Sequence, residues 1–132
     1  MISHRSAEFD RTLKALFDDV DDLLEDRYGG RYPLHPNRPS RGSTANKESD
    51  GLFNIGASFS PGFGSSSGRG YTIDVEMVTL AHVPDEVEEE IHQVAIEAIR
   101  QRLPKFFPNR ELDVERDGRI FKIVGDFRLG SL

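Results

Sequence analysis

Phe53-Asn54-Ile55-Gly56-Ala57-Ser58-Phe59 and Tyr71-Thr72-Ile73-Asp74-Val75-Glu76-Met77 are the stretches whose reading decides the fold. Both alternate apolar with polar residues, the first from Leu52 onward, at the two-residue period of a strand with one covered face. Between them runs Ser60-Pro61-Gly62-Phe63-Gly64-Ser65-Ser66-Ser67-Gly68-Arg69-Gly70, which has no periodicity and is rich in turn formers. The three segments together predict an antiparallel hairpin with a long glycine- and serine-rich tip.

Upstream, residues 29–50 form an irregular arm. Pro33, Pro36 and Pro39 remove backbone donors, while Gly42, Ser43, Thr44 and Asn46 add turn chemistry. Before the arm, Phe9, Leu13, Leu16, Phe17, Val20, Leu23 and Leu24 recur at the spacing of one helical face, predicting an amphipathic helix over residues 6–28. Ser6 can cap its start, and Gly29-Gly30 supply a left-handed stop. Its other face carries Asp18, Asp19, Asp21, Asp22, Glu25 and Asp26. That face is read first as solvated.

Downstream, Pro84, Asp85 and Glu86 open a second helix that buries Val87, Ile91, Val94, Ala95 and Ala98, widened by Ile96, Ile99 and Leu103, with Pro104 as its stop. The Asp117-Gly118 pair then reads as a two-residue hairpin turn. This register sets Val114 against Phe121, Leu112 against Ile123 and Asp113 against Lys122. Ile120 and Val124 fall on the wrong face for a sheet covered on one side. The first helix or a second subunit is expected to cover them, which leans the assembly toward a homodimer.

The expected fold is therefore α+β: one domain over residues 1–132, in α-ββ-α-ββ order, with a ββαββ core over 51–132. One helix packs on a four-stranded antiparallel sheet, and the N-terminal helix caps the other face or mediates dimerisation.

The 132 residues hold 17 Lys and Arg against 23 Asp and Glu, with no Cys and no Trp. Without Cys there is no disulfide framework, thiolate metal site or cysteine nucleophile. No run approaches the ~20 apolar residues of a membrane span, and the N-terminus lacks an apolar signal region, so a soluble cytoplasmic protein without membrane contact is expected. Charge is uneven: −5 over residues 1–26, +2 over 27–83 and −3 over 84–132. The net of −6 argues against general nucleic-acid binding, although a local basic patch survives in the middle.

The chemistry-bearing feature is the tip. Gly62, Gly64 and Gly68 let successive N–H groups turn toward one anion, and Ser65, Ser66, Ser67 and Arg69 add donors. The spacing matches neither a dinucleotide fingerprint nor a P-loop. If the arm folds back over the tip, Arg38 and Arg41 converge with Arg69 on one ligand. The alternative is a basic arm that pairs with the acidic face of a helix. Tyr28, Tyr32 and Phe63 offer stacking surfaces. His4, His35, His82 and His92 show no short metal-ligand spacing, and His82 and His92 share a site only if the chain bends them together.

Three functions follow. The first is a noncatalytic module that binds an anionic small molecule, an RNA segment or an acidic partner through the arm and the tip. The second is an interaction protein acting through a homodimer interface. The third is an enzyme on a phosphorylated or carboxylated substrate, with Asp74, Glu76 or His82 as acid or base in a cleft beside the tip. No cofactor or metal is implied.

Overall fold

The computed structural model of the chain describes residues 4–61, 69–118 and 120–125. Helix α1 runs His4–Tyr28, and after the arm, with one 3-10 turn at Lys47–Ser49, come strands β1 (Phe53–Ser60) and β2 (Gly70–Met77). Helix α2 (Asp85–Phe106) follows, then β3 (Leu112–Asp117) and β4 (Ile120–Gly125). The strands form one antiparallel sheet in the order β1-β2-β4-β3. The α+β class and the four-stranded antiparallel sheet expected from the alternation are both present.

The pairing explains the core. Ile55 faces Val75, Ala57 faces Ile73, Ile73 faces Phe121, and Ile123 faces Val114, so these side chains share one face of the sheet. Both helices cover that face. Phe9 of α1 stacks on Tyr71 and tilts against Phe107, just beyond α2, at centroid distances of 5.3 and 4.7 Å. Leu16, Val20, Leu24, Ile91, Ala95, Ile99 and Leu103 are buried in one cluster with Phe53 and Ile123. The expectation that α1 caps the opposite face is thus corrected: its wide apolar stripe meets both the sheet and α2, and one layer of two helices satisfies all three. The Tyr28 hydroxyl donates to Glu90 Oε2 at 2.7 Å, tying the end of α1 to α2.

Two local expectations also change. Asp117 pairs with Ile120 and Val114 with Ile123, so Asp117 belongs to β3 and is not a turn residue as the Asp117-Gly118 reading expected. Gly118, directly after β3, has a φ of 64°, a left-handed conformation that glycine adopts without a Cβ penalty. The slip moves each partner by two, so every side chain keeps its expected face. Lys122 consequently lies opposite Glu115 instead of Asp113, flanked on its other side by Thr72, and is buried. Secondly, Pro104 does not stop α2, which continues to Phe106 and closes with the Phe107 N–H on the Leu103 carbonyl at 2.8 Å.

The sheet is not paired along its full length. β2 meets β4 only from Tyr71 to Ile73, so among the described residues Asp74–Met77 are held on the β1 side alone. That opening positions the cleft described below. No helix among the described residues is long and apolar enough to cross a membrane.

Candidate functional site

The arm is held by two arginines. Arg38 donates through Nε to the Gly51 carbonyl at 3.0 Å, and through Nη2 to the carbonyls of Glu48, Asp50 and Phe53 at 2.7, 3.1 and 2.9 Å. One rigid guanidinium fork thus gathers the 48–53 turn around itself. Arg41 donates to the Lys47 carbonyl at 3.0 Å and pairs with Asp21, Asp22 and Asp50 at 2.9, 2.6 and 3.4 Å. Lys47 adds a bond to Asp22. The basic arm pairing with the acidic face of the first helix is the arrangement found.

These contacts redistribute the expected anion site. Arg38 and Arg41 meet at one turn, but their donors point at the protein's own carbonyls and carboxylates. Arg69 precedes Gly70, which pairs with Ser60 at the end of β1 opposite Phe53, about 23 Å away at ~3.3 Å per residue. The three guanidinium groups therefore do not converge. Gly62, Gly64, Ser65, Ser66, Ser67 and Gly68 lie outside the described residues, as does Phe63. Tyr28 is a core residue, and Tyr32 packs against the core. Tyr28 is thereby withdrawn from a surface, while half-buried Tyr32 lines a pocket with Arg41.

Beneath the arm the carboxylates differ sharply. Asp50 is buried, yet its pKa is held below the ordinary range. Burial works against this, and the Thr44 N–H and hydroxyl, the Gly42 N–H and Arg41 prevail. Asp22 is lowered in the same way, its slight burial outweighed by hydrogen bonds from Lys47 and Arg41. Glu25 accepts the Leu52 and Phe53 N–H groups at 3.1 and 2.9 Å. Asp21 is fully buried, and neither of its oxygens has a hydrogen bond; Arg41 Nη1, 2.9 Å away, forms an ion pair without hydrogen-bond geometry. Burial pushes its pKa up from 3.8 to about 7, against the pull of Arg41 and with a further push from Glu25, Asp18 and Asp22.

The candidate site for a ligand lies elsewhere, in a cleft of about 590 Å³ between the free half of β2, the segment that follows it and the start of α2. Asp74 and Glu76 project from β2, His82 from the connection, and Asp85, Glu88 and His92 from α2, over an apolar floor that includes Met77, Val83 and Ile91. Residues from both faces of β2 line it because the strand edge is open there. The chain does bend His82 and His92 to one cleft, the condition the sequence left open. Asp74, Val75 and His92 also border a smaller pocket of about 150 Å³ with Ile73, Ile96, Phe121 and Ile120, the last 42% exposed. The cleft runs from Asp74 toward Met77, the end of β2 away from Gly70; the tip beside which the sequence expected it lies outside the described residues. Among the described residues no group of His, Asp and Glu is placed to hold a metal ion. Sequence reasoning missed Asp85 and Glu88, whose helix-start position has its own sufficient explanation in the macrodipole.

Comparison with known proteins was made on this background. A family model described as "Uncharacterised protein" matches residues 4–125. A protein of Borreliella burgdorferi, itself described as uncharacterized, is 44% identical over 120 residues, covering 91% of this chain and 94% of that protein. No solved structure matches the chain.

Proposed function

This chain belongs to that family of uncharacterised proteins, and from that premise we propose that it is a cytoplasmic binding module whose β2–α2 cleft takes a cationic, partly apolar segment of a partner. The observation that carries this reading is the lining: four carboxylates and two imidazoles, with no lysine or arginine among the described lining residues. At neutral pH such a cleft attracts positive charge and repels a phosphate or carboxylate. That disfavours the phosphorylated or carboxylated substrate of the enzymatic alternative. The carboxylates are spread along a strand and a helix start rather than gathered on one point, which suits an extended chain of lysine or arginine side chains. The smaller pocket and Ile120 supply an apolar seat beside them.

A second reading keeps an anion at the glycine- and serine-rich tip with Arg69, which is exposed at the start of β2. One titration series separates the two. A fluorescent peptide alternating arginine with leucine should bind wild type, weaken with salt, and lose roughly tenfold or more in affinity in Asp74→Asn/Glu76→Gln. Equal binding by both proteins would remove the cleft reading. Binding of a nucleotide or polyphosphate that disappears in Arg69→Ala would establish the tip instead. Sedimentation of wild type and Ile120→Glu tests whether a second copy of the chain is the occupant of the Ile120 patch.

A further inference from the structure

The free half of β2 is a strand edge as well as a cleft wall. The Val78 N–H donates to the Leu52 carbonyl at 2.7 Å, which makes these two residues a hydrogen-bonded pair at the end of the β1–β2 ladder. Bonded and non-bonded pairs alternate in an antiparallel ladder, so Glu76 and Asp74 turn their main-chain groups toward β1, while Met77 and Val75 turn theirs away. Phe53, opposite Met77, has the matching phase: its N–H and C=O leave the hairpin on the other side, for Glu25 and Arg38. Tyr71 and Ile73 share the phase of Val75, and there β4 is in register, with Ile123 and Phe121 opposite. β4 pairs no further along β2, and among the described residues no partner takes the N–H and C=O groups of Val75 and Met77.

We propose that the cleft's partner enters as a short strand, antiparallel to β2 along Val75–Met77 and in the line of β4, and that it alternates basic with apolar residues; this rests on the cleft being the binding site. Main-chain bonds to Val75 and Met77 hold such a segment whatever its sequence, and the two faces of the sheet then dictate the alternation. Partner residues opposite Asp74 and Glu76 fall on the outer face, where both carboxylates are exposed and a lysine or arginine forms a cross-strand charge pair with each. Residues opposite Val75 and Met77 fall on the helix side, toward Ile91 and the smaller pocket that His92 and Ile96 line. α2 adds the carboxylates of Asp85 and Glu88, and no described lining residue is a lysine or arginine, so the charge of the cleft selects a basic strand over an acidic one. An extended segment also meets an unpaired edge, the element of the sheet that accepts a further strand most readily.

The test uses the full chain and three forms of the fluorescent peptide that alternates arginine with leucine: unmodified, N-methylated at every leucine, and N-methylated at every arginine. In the proposed strand the leucine N–H groups face β2 and the arginine N–H groups face away, so methylation at leucine removes the inter-strand donors and adds bulk at the edge. Affinity should fall roughly tenfold or more with the leucine set and by less than about threefold with the arginine set. In wild type at saturating unmodified peptide, the amides of Val75 and Met77 should exchange roughly tenfold more slowly, while that of Ala57, which faces outward on the β1 edge, stays unchanged. Carboxylate-dependent binding with equal affinity for the two methylated peptides, or with unchanged exchange at Val75 and Met77, would overturn strand addition and leave the cleft as the site. Unmodified peptide that binds wild type and Asp74→Asn/Glu76→Gln equally would remove the cleft itself, and strand addition with it.

Discussion

Arg38 Nη2 lies 2.9 Å from the carbonyl oxygen of Phe53, so a side chain in the middle of an otherwise irregular arm is bonded directly to the first residue of the edge strand. The arm is thereby made part of the sheet's border. Edge strands need such cover, because their unpaired backbone groups are templates for unwanted pairing.

Replacing Arg38 should accordingly cost more than a surface arginine. Arg38→Ala leaves four carbonyls without their donor, and hydrogen bonds to a charged group contribute about 1.5–3 kcal/mol each at best, with strong overlap. A loss of about 3 kcal/mol in urea unfolding is expected. Arg38→Lys should recover little of it, since an ammonium cannot present the same planar fork.

Stability should rise as pH falls from 8 toward 5. The folded pKa of Asp21 is about 7 and its ordinary value 3.8, so the folded state binds the extra proton between those limits. A raised folded pKa means a contribution fully present below 3.8 and lost as pH climbs through 7, amounting to at most about 4 kcal/mol. Asp22 and Asp50 are lowered and act oppositely, losing their contribution only in acid near the usual carboxylate range. Urea midpoints should therefore climb on mild acidification in wild type and stay level over pH 5–8 in Asp21→Asn.

Gly51→Ala should destabilise by about 2 kcal/mol or more. Its φ of 75° is strained for a residue with a Cβ, and that atom would stand 2.8 Å from both oxygens of the Glu25 carboxylate that binds the Leu52 and Phe53 N–H groups. The check is thermal unfolding, with loss of Leu52 amide protection as the local signature.

Leu16→Ala should cost about 3 kcal/mol, within the usual range for a fully buried leucine, because α1 is sandwiched into the single core. Leu80→Ala, at a site 73% exposed, should change stability by less than about 0.5 kcal/mol. Equal costs at the two positions would contradict the placement of α1.

Much of the architecture was legible because it depends on local pattern. Alternation in residues 53–59 and 71–77 specified the hairpin, and the 3.6-residue period of Phe9 to Leu24 specified α1. The site was less legible. Arg38 and Arg41 were recognisable as a basic concentration, but composition does not say whether a guanidinium faces a ligand or its own chain. Nor could spacing reveal that His82 and His92 share a cleft with Asp74, since that depends on where β4 parts from β2.

By itself the sequence determined the secondary elements, their order, the apolar face of each and the absence of thiol chemistry, because side-chain periodicity and residue type act within a few neighbours along the chain. Tertiary structure alone decided that both helices share one face, that the arm's arginines are spent on α1 and the 48–53 turn, and that Asp21 is sealed beneath Arg41. The physical reason is that burial, ion pairing and desolvation are set by distances between segments remote in sequence. Asp21 and its exposed neighbour Asp26 are the same residue type on one helix, and only packing separates them.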